Sequence, residues 1–212
     1  MKFVIIAAAL AISIAAPPSF AGEVPVSFNW SGFYAGVNGG YGSVSSIWNK
    51  REGGFGGGQI GFNWQYDRVV FGPEVDGLAG RISGDTGPYF YAMSNTLGGI
   101  ISIRGRGGIA LNQFLLYGTI GIAYAKNEFY WMGRPGMQTI GRPIISVPMV
   151  DAQWHDGWTT GAGLEYAFDQ HWSTRFLYTY TRFGARGYLQ GGTYNNYGFD
   201  LSSASIGVNY RF

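Results

Sequence analysis

Apolar side chains alternate with small or polar ones, residue by residue, along most of the chain after its first segment. In the closing stretch SASIGVNYRF, one parity carries Ile206, Val208, Tyr210 and Phe212, whereas the other carries only Ser, Gly, Asn and Arg. A period of two places successive side chains on opposite faces of a β-strand. The same alternation recurs in runs such as IGFNWQ, IISIRGR, LYGTIGIAY and WTTGAGLEYAF, and it predicts an all-β protein.

The positions of the alternating pattern that carry small or polar side chains distinguish two kinds of all-β protein. A soluble barrel or sandwich packs its large apolar residues inward and shows its charges to water at strand ends and in loops. An outer-membrane barrel turns its apolar residues toward lipid and fills its lumen with small and polar side chains. Here the charges lie mid-strand, and aromatic residues gather near the ends of the apolar runs, as in interfacial girdles. The sequence therefore predicts an outer-membrane barrel. Its predicted lumen charges are Glu74, Asp76, Arg104, Arg106, Glu165 and Arg175.

The spacing of the runs predicts an eight-stranded antiparallel transmembrane β-barrel. Short turns at 66–69, 111–114 and 169–171 alternate with longer segments, as the periplasmic and extracellular connections of such barrels do. The longer segments are 43–54, 81–96, 127–157 and 184–198. An even number of strands places both termini on the periplasmic side. The predicted strands are 33–42, 55–66, 69–80, 97–110, 115–126, 158–168, 172–183 and 199–212.

The first segment has the layout of a secretory signal peptide. Lys2 precedes an apolar run of about 14 residues, which is shorter than the roughly 20 residues that a spanning helix needs. Two prolines and a small-residue site ending at Ala21 follow it. We therefore expect cleavage after Ala21, so that residues 1–21 are removed and residues 22–212 form the barrel domain. Export of this kind predicts the outer membrane of a Gram-negative bacterium as the location.

Composition excludes several other classes of protein. The chain has no cysteine for a disulfide framework, and its formal net charge of +2 favours no nucleic-acid partner. Its 36 glycines follow no Gly-X-Y period, so collagen is excluded, and an aromatic content of 17% argues for an ordered chain. No feature indicates a particular oligomeric state.

Sequence blocks along nearly the whole predicted mature chain carry a resemblance to a known family, in the same order as in that family. They are FNWSGFYAGVNGGYG, GGQIGFNWQ, FGPEVDGLAG, IRGRGGIA, LLYGTIGIAYA, TTGAGLEYAF, STRFLYTYTRFG and GVNYRF. Together they resemble the small porin-like outer-membrane proteins of alphaproteobacteria, the RopB type within the OmpA-like barrel group. The resemblance implies a structural or surface role in the cell envelope, with outer-membrane lipid and lipopolysaccharide as partners. It also implies that Ile206, Val208, Tyr210 and Phe212 form the terminal signal read by the barrel assembly machinery.

The predicted lumen charges have two interpretations. Glu165 and Arg175 are equidistant from the 169–171 turn, so they should face each other across neighbouring strands, and Glu74 should face Arg104. Because a buried unpaired charge costs several kcal/mol, we expect ion pairs that close the lumen. The alternative is a conduction path, which would make the protein a narrow-channel porin for small solutes.

Catalytic and metal sites have little support in the sequence. The chain has only two histidines, His171 at a predicted periplasmic turn and His155 in the third extracellular loop, so they lie at opposite ends of the barrel. Two histidines without cysteine do not make a closed zinc site, and GGFGGG lacks the GK[ST] and the following helix of a phosphate loop. We therefore expect neither an enzyme nor a metal protein.

The extracellular loops carry the remaining candidate ligand contacts. Tyr130, Trp131, Trp154 and His155 combine aromatic groups with a potential axial ligand, a set that a haem group would suit. Some relatives in the resembled family bind haem, and others are surface antigens. The simpler interpretation, which we favour, is that these aromatic residues pack the loops against one another and against the lipopolysaccharide zone. The sequence thus predicts no cofactor, with a haem-binding surface protein as the second alternative.

Overall fold

The computed structural model describes residues 28–45, 50–85, 91–133, 138–139, 142–143, 149–190 and 193–212. Side chains are described for these residues except 50, 81–85, 91–98, 127–133, 138–139, 142–143, 149–153, 188–190, 193–195 and 197. The predicted signal peptide and its cleavage site lie outside this part of the chain. Within it, no helix is long and apolar enough to cross a membrane.

Eight long strands and two short ones make up the described structure. The long strands are β1 (Gly32–Ser45), β2 (Lys50–Tyr66), β3 (Val69–Asp85), β4 (Tyr91–Leu111), β5 (Phe114–Gly133), β8 (Met149–Ala167), β9 (Trp172–Gln190) and β10 (Thr193–Arg211). The short strands β6 (Gln138–Thr139) and β7 (Arg142–Pro143) pair only with each other, between β5 and β8.

The long strands form one closed antiparallel barrel in the order β1-β10-β9-β8-β5-β4-β3-β2. Closure depends on the last strand, which pairs with the first in a register that sets Val37 opposite Val208. Closing the sheet leaves no edge strand with unpaired backbone groups, and this is what a barrel in lipid requires. The predicted eight-stranded antiparallel barrel is confirmed.

The tight turns occur where short polar residues permit them. Asp67 and Asn112 adopt φ values of 53° and 55°, in the left-handed region that Asp and Asn tolerate better than other non-glycine residues. In the β8–β9 turn, the Asp169 carboxylate accepts hydrogen bonds from the backbone N–H groups of His171 and Trp172, both at 2.8 Å. These two bonds stabilise the turn that joins β8 to β9.

The strands extend farther on the extracellular side than predicted. The sequence predicts a loop at 127–157, yet β5 continues to Gly133 and β8 begins at Met149. Likewise β4 begins at Tyr91 and β10 at Thr193, within segments also predicted to be loops. The alternation that identifies a strand weakens once both faces meet water, whereas the hydrogen-bonded ladder needs no such pattern to continue.

The two faces of the barrel wall differ as the alternation requires. Large apolar residues such as Val37, Ile101, Ile120 and Ile206 point outward and are at least half exposed. Inward-facing positions carry the charged, polar and small residues, and most of these are buried. Most buried charged and polar side chains of the described chain therefore lie in the lumen.

Candidate functional site: the barrel lumen

All six charged residues that the sequence assigned to the lumen point inward and are buried. They come from four strands: β3 and β4 contribute two each, and β8 and β9 contribute one each. Their exposed fractions are at most 5%. Three carboxylates and three guanidinium groups meet there, so the cluster is formally neutral.

Glu74 is the centre of this cluster. Its Oε1 accepts a hydrogen bond from Arg104 Nη2 at 2.8 Å, and its Oε2 accepts from Arg175 Nη1 at 2.6 Å and from the Tyr34 hydroxyl at 2.7 Å. Arg106 Nη1 lies 3.6 Å from the same Oε2. Arg104 Nη2 also lies 2.7 Å from Asp76 Oδ1. One carboxylate therefore connects all three arginines, and charge-assisted contacts of this kind are the stronger class of hydrogen bond.

Glu165 is the second centre, and its partner differs from the predicted one. Glu165 and Arg175 are directly opposite in the β8–β9 register, as the turn position predicted. However, Glu165 Oε2 accepts from Arg106 Nη2 at 2.7 Å, and its Oε1 accepts from Ser173 and Asn209. Arg175 instead donates to Glu74. The proposed Glu165–Arg175 pair is therefore wrong, because long side chains inside a narrow barrel reach across the lumen as easily as along its wall.

Several members of the network were not identified as site residues from the sequence. Arg106 lies over the ring of Tyr117, 4.2 Å from its centroid, and donates to the Tyr34 hydroxyl at 3.0 Å. Asn209 and Ser173 complete the shell around Glu165. These residues occupy the same alternate positions of their strands as the small and polar side chains. That position is the sequence signal that could have identified them. Tyr34 and Tyr117 are buried despite belonging to a residue type common in membrane girdles.

A cluster of apolar side chains lies at the periplasmic end of the lumen. Trp30, which precedes β1, is fully buried, and its Nε1 donates to the carbonyl of Asn112 at 3.2 Å. The Arg211 guanidinium carbon lies 4.9 Å from the ring centroid of Phe28 and 4.7 Å from that of Trp30, within the range of cation–π contact. The buried members of this layer are Phe28, Trp30, Val70, Ala110, Leu115, Tyr117, Ala167 and Leu177.

A second apolar layer lies on the extracellular side of the ion pairs. Its buried members are Val44, Ile100, Ala123, Ala125, Phe183, Phe199 and Leu201. Hydroxyl groups lie between this layer and the charges: Thr179 and Ser203 are hydrogen-bonded at 2.7 Å, and Thr181 donates to Thr159 at 2.9 Å. The ionic cluster of the described lumen is thus flanked by two clusters of buried apolar side chains, with hydroxyl pairs on its extracellular side.

The chain matches the outer membrane protein beta-barrel domain family over residues 5–212. The chain belongs to this family. A 22 kDa outer membrane protein of Rhizobium leguminosarum bv. viciae is 33% identical over 197 residues, which cover 90% of this chain and 82% of the relative. A 31 kDa outer-membrane immunogenic protein of Brucella melitensis is 28% identical, with 94% of this chain and 91% of the relative covered.

A solved structure supports the fold of this family member. The crystal structure of Ail, the attachment invasion locus protein of Yersinia pestis, in complex with the heparin analogue sucrose octasulfate superposes with a TM-score of 0.50. The match covers 85% of this chain and 99% of Ail at 14% identity, so it shows the fold alone. Together with the family match, it identifies an integral outer-membrane β-barrel of a Gram-negative bacterium, whose outward face contacts lipid.

The structure separates the residues predicted as loop ligand contacts. Trp154 and His155 lie in β8 rather than in a loop, and their side chains occupy opposite faces: Trp154 is 56% exposed outward and His155 is buried. His155 Nδ1 lies 3.0 Å from the Gly184 carbonyl oxygen. Tyr130 and Trp131 belong to β5, with side chains outside the described part. Trp154 and His155 therefore cannot contact one flat ligand, because successive strand residues point to opposite faces.

The predicted terminal signal lies on the lipid-facing side of β10. Ile206, Val208 and Phe212 are 65%, 40% and 72% exposed. The Phe212 ring packs against Phe33 and Tyr210, with centroids 5.5 and 5.1 Å apart, and its N–H donates to the Phe33 carbonyl at 3.0 Å. The end of this family member is thus bound to its first strand while most of the Phe212 ring stays accessible.

Proposed function

We propose that the protein is a closed, non-conducting outer-membrane barrel that serves the cell envelope as a structural and surface-interaction protein. The observation that carries this proposal is the layered filling of the lumen, in which a neutral ionic cluster lies between two apolar layers. Outer-membrane location and barrel fold are properties of its family; the absence of conduction is our proposal.

The layers oppose ion flow for different reasons. An ion entering the lumen from either end loses much of its hydration among buried apolar side chains, and this costs several kcal/mol even after relaxation. An ion entering the central layer must separate Arg175 from Glu74, whose contact spans opposite sides of the barrel, or Arg106 from Glu165. A narrow-channel porin would instead need a continuous polar path through both apolar layers. The filling therefore favours the closed barrel over the porin alternative.

We also propose that the protein is not an enzyme and carries no cofactor. Its relatives are outer-membrane barrel proteins. Among the residues that the structure describes, no three His, Cys, Asp or Glu side chains gather in a way that could hold a metal ion. His171 is exposed at the periplasmic turn, whereas His155 is buried near the extracellular end. The opposite orientations of Trp154 and His155 give no support to a haem site.

A surface role is supported by how far the strands reach. A membrane strand needs about 9–11 residues, whereas β4 and β5 have 21 and 20. The barrel wall therefore continues beyond the outer leaflet as a rigid base for the extracellular segments. The Brucella relatives are named outer-membrane immunogenic proteins, which supports exposure at the cell surface. We propose lipopolysaccharide as the neighbour of this wall and the barrel assembly machinery as a partner during insertion.

A liposome-swelling assay tests whether small uncharged solutes pass through the lumen. Vesicles that contain the folded protein are diluted into an isotonic solution of a small sugar, with a general porin as positive control. We expect swelling no faster than that of protein-free vesicles. Sugar uptake that increases with the amount of folded protein would support the porin alternative instead.

A further inference from the structure

The four residues that precede β1 form a strap across the periplasmic mouth of the barrel. We name residues 28–31 the periplasmic strap. They lie outside the β ladder, which begins at Gly32, and two of them, Phe28 and Trp30, are buried. Gly32 has a φ of 126°, a value that favours glycine because it has no Cβ. This glycine turns the chain from the barrel wall into the lumen.

The periplasmic strap is hydrogen-bonded to two places on the barrel wall. The Trp30 N–H donates to Gln65 Oε1 at 2.6 Å, and the Gln65 N–H donates to Ser31 Oγ at 3.1 Å, so the strap is attached to the end of β2. Trp30 Nε1 donates to the Asn112 carbonyl at 3.2 Å, in the turn between β4 and β5. Because this turn lies across the barrel from β1, the strap spans the mouth.

Arg211 of β10 attaches the strap to the last strand. Its Nη1 donates to the Asn29 carbonyl at 3.0 Å, and its guanidinium carbon lies 4.9 Å from the Phe28 centroid and 4.7 Å from that of Trp30. The side chain is 5% exposed, and none of the described carboxylates forms an ion pair with it. The strap thus supplies this buried cation with two aromatic faces and a carbonyl oxygen.

The strap can make all of these contacts only in the closed barrel. Its hydrogen bonds to Gln65, Asn112 and Arg211 join residues 35, 82 and 182 positions apart in the chain. β2 and β10 are the two neighbours of β1, and β10 reaches that place only when the last strand pairs with the first. Contacts between such distant residues form late, because the chain loses conformational entropy before they compensate.

The strap also has room to dock after the strands have paired. A cavity of about 780 Å³ lies beside it, lined by strap residues and by residues at the β2–β3 and β4–β5 turns. The described strap contacts involve side chains rather than a β ladder. The strap can therefore reach or leave its position without separating any pair of strands.

We propose that the periplasmic strap is a kinetic lock on the seam between β1 and β10. It docks after this seam has formed, and its contacts with Arg211 break before the seam opens. Interactions that are absent from the folding transition state slow unfolding and leave the folding rate nearly unchanged. This inference does not depend on whether the lumen conducts.

The test measures both rates on purified full-length protein, so that no assembly machinery takes part. Folding into lipid vesicles is followed by the appearance of heat-modifiable protein on gels, and unfolding by its loss after transfer to concentrated urea. We expect Trp30→Ala to unfold at least about tenfold faster than the wild type while folding within about twofold of the wild-type rate. Trp30→Phe keeps an aromatic ring but loses the bond to Asn112, so its unfolding rate should be intermediate.

Arg211→Gln tests the attachment to the last strand. It should accelerate unfolding as Trp30→Ala does, and the double variant should unfold within about twofold of the faster single variant, because both changes release the same contact. The matched control is Arg68→Gln, which removes an exposed arginine from the β2–β3 turn at the same end of the barrel. Both of its rates should stay within about twofold of the wild type.

Gly32→Ala provides a second route if the tryptophan variants fold poorly. It keeps every strap side chain and disfavours only the backbone turn, so we again expect faster unfolding with little change in folding. The proposal is overturned if Trp30→Ala and Gly32→Ala unfold at the wild-type rate, since the strap then locks nothing. It is also overturned if they mainly slow folding, since the strap then docks before the seam closes.

Discussion

Glu165 and Arg175 lie directly opposite each other on β8 and β9, yet they do not pair with each other. Each forms its ion pair with a residue outside these two strands. Arg175 reaches Glu74 on β3, which is diametrically opposite β9 in the barrel order. Glu165 reaches Arg106 on β4. The ion pairs therefore connect non-adjacent strands of the barrel wall through the lumen. Their side chains occupy the space through which a solute would have to pass.

A double-mutant cycle distinguishes the observed pairs from the register neighbours. Arg106→Gln or Glu165→Gln should each destabilise the barrel by about 3–5 kcal/mol, since each leaves a buried charge without its partner. The coupling free energy between Arg106 and Glu165 should be about 2–3 kcal/mol. The measurement is urea unfolding in lipid vesicles followed by tryptophan fluorescence.

The control cycle uses Arg175 and Glu165. Because these two residues are opposite in register but bind other partners of the same network, their coupling free energy should be clearly smaller than that of Arg106 and Glu165. A larger coupling for this pair than for Arg106 and Glu165 would restore the ion pairs that the sequence predicts and contradict the structure.

Many of the lumen-facing residues could be predicted from the sequence, because successive residues of a strand point alternately inward and outward. Glu74, Asp76 and Arg104 were assigned to the lumen on that basis. Their pairing could not be predicted in full, because a long side chain within a narrow barrel has several partners at reach. Strand register restricts which residues can pair on neighbouring strands, as it does for Glu74 and Arg104. It does not restrict pairs that form across the lumen, such as the pair of Arg175 with Glu74.

The two ends of the barrel were less predictable for different reasons. Trp30 precedes the first alternating strand, so no period indicated that it would close the periplasmic end of the lumen. The sequence predicts a loop at His155 because the alternating pattern fades above the membrane, whereas β8 begins at Met149. Both errors occur where the constraint from lipid ends.

His155 should make stability depend on pH. Burial lowers the pKa of its imidazole below the ordinary value of 6.5, with Arg186 acting in the same direction and the Gly184 carbonyl and Asp156 opposing it. The unfolded chain then binds the proton more readily, so stability is complete above about pH 6.5 and falls as the pH decreases toward the lowered pKa. We expect His155→Gln to flatten the stability profile between pH 7 and 5.

The matched control for this pH profile is His171→Gln. His171 is exposed at the periplasmic turn, so its replacement should leave the wild-type decrease in stability intact. If the two glutamine variants had the same profile, His155 would not be the group responsible.

Two glycines of β3 should respond oppositely to the same substitution. A Cβ at the inward-facing Gly72 would collide with the Phe62 carbonyl oxygen on β2, whereas a Cβ at the outward-facing Gly77 meets nothing within 4 Å. Gly72→Ala should cost about 1–3 kcal/mol by overpacking. Gly77→Ala should be neutral or stabilise by up to about 1 kcal/mol, because alanine loses less backbone freedom on folding. Urea unfolding measures both, and equal losses would argue against the inward and outward assignment.

Phe212 should affect assembly more than final stability. Its deletion removes one exposed ring and one hydrogen bond to Phe33, so barrels that do fold should unfold within about 1 kcal/mol of the wild type. The proposed terminal signal predicts a marked decrease in heat-modifiable protein in the outer membrane. Phe168→Ala removes another exposed ring near the periplasmic rim and should leave that amount unchanged. Normal outer-membrane amounts after Phe212 deletion would exclude the signal.

Single-channel recording shows whether ions pass through the filled lumen. The folded protein is inserted into a planar bilayer, and insertion is verified by protease protection of the same preparation. We expect current traces indistinguishable from those of a protein-free bilayer at moderate voltage. Regular, long-lived conductance steps from the unmutated protein would contradict the closed lumen and identify a channel.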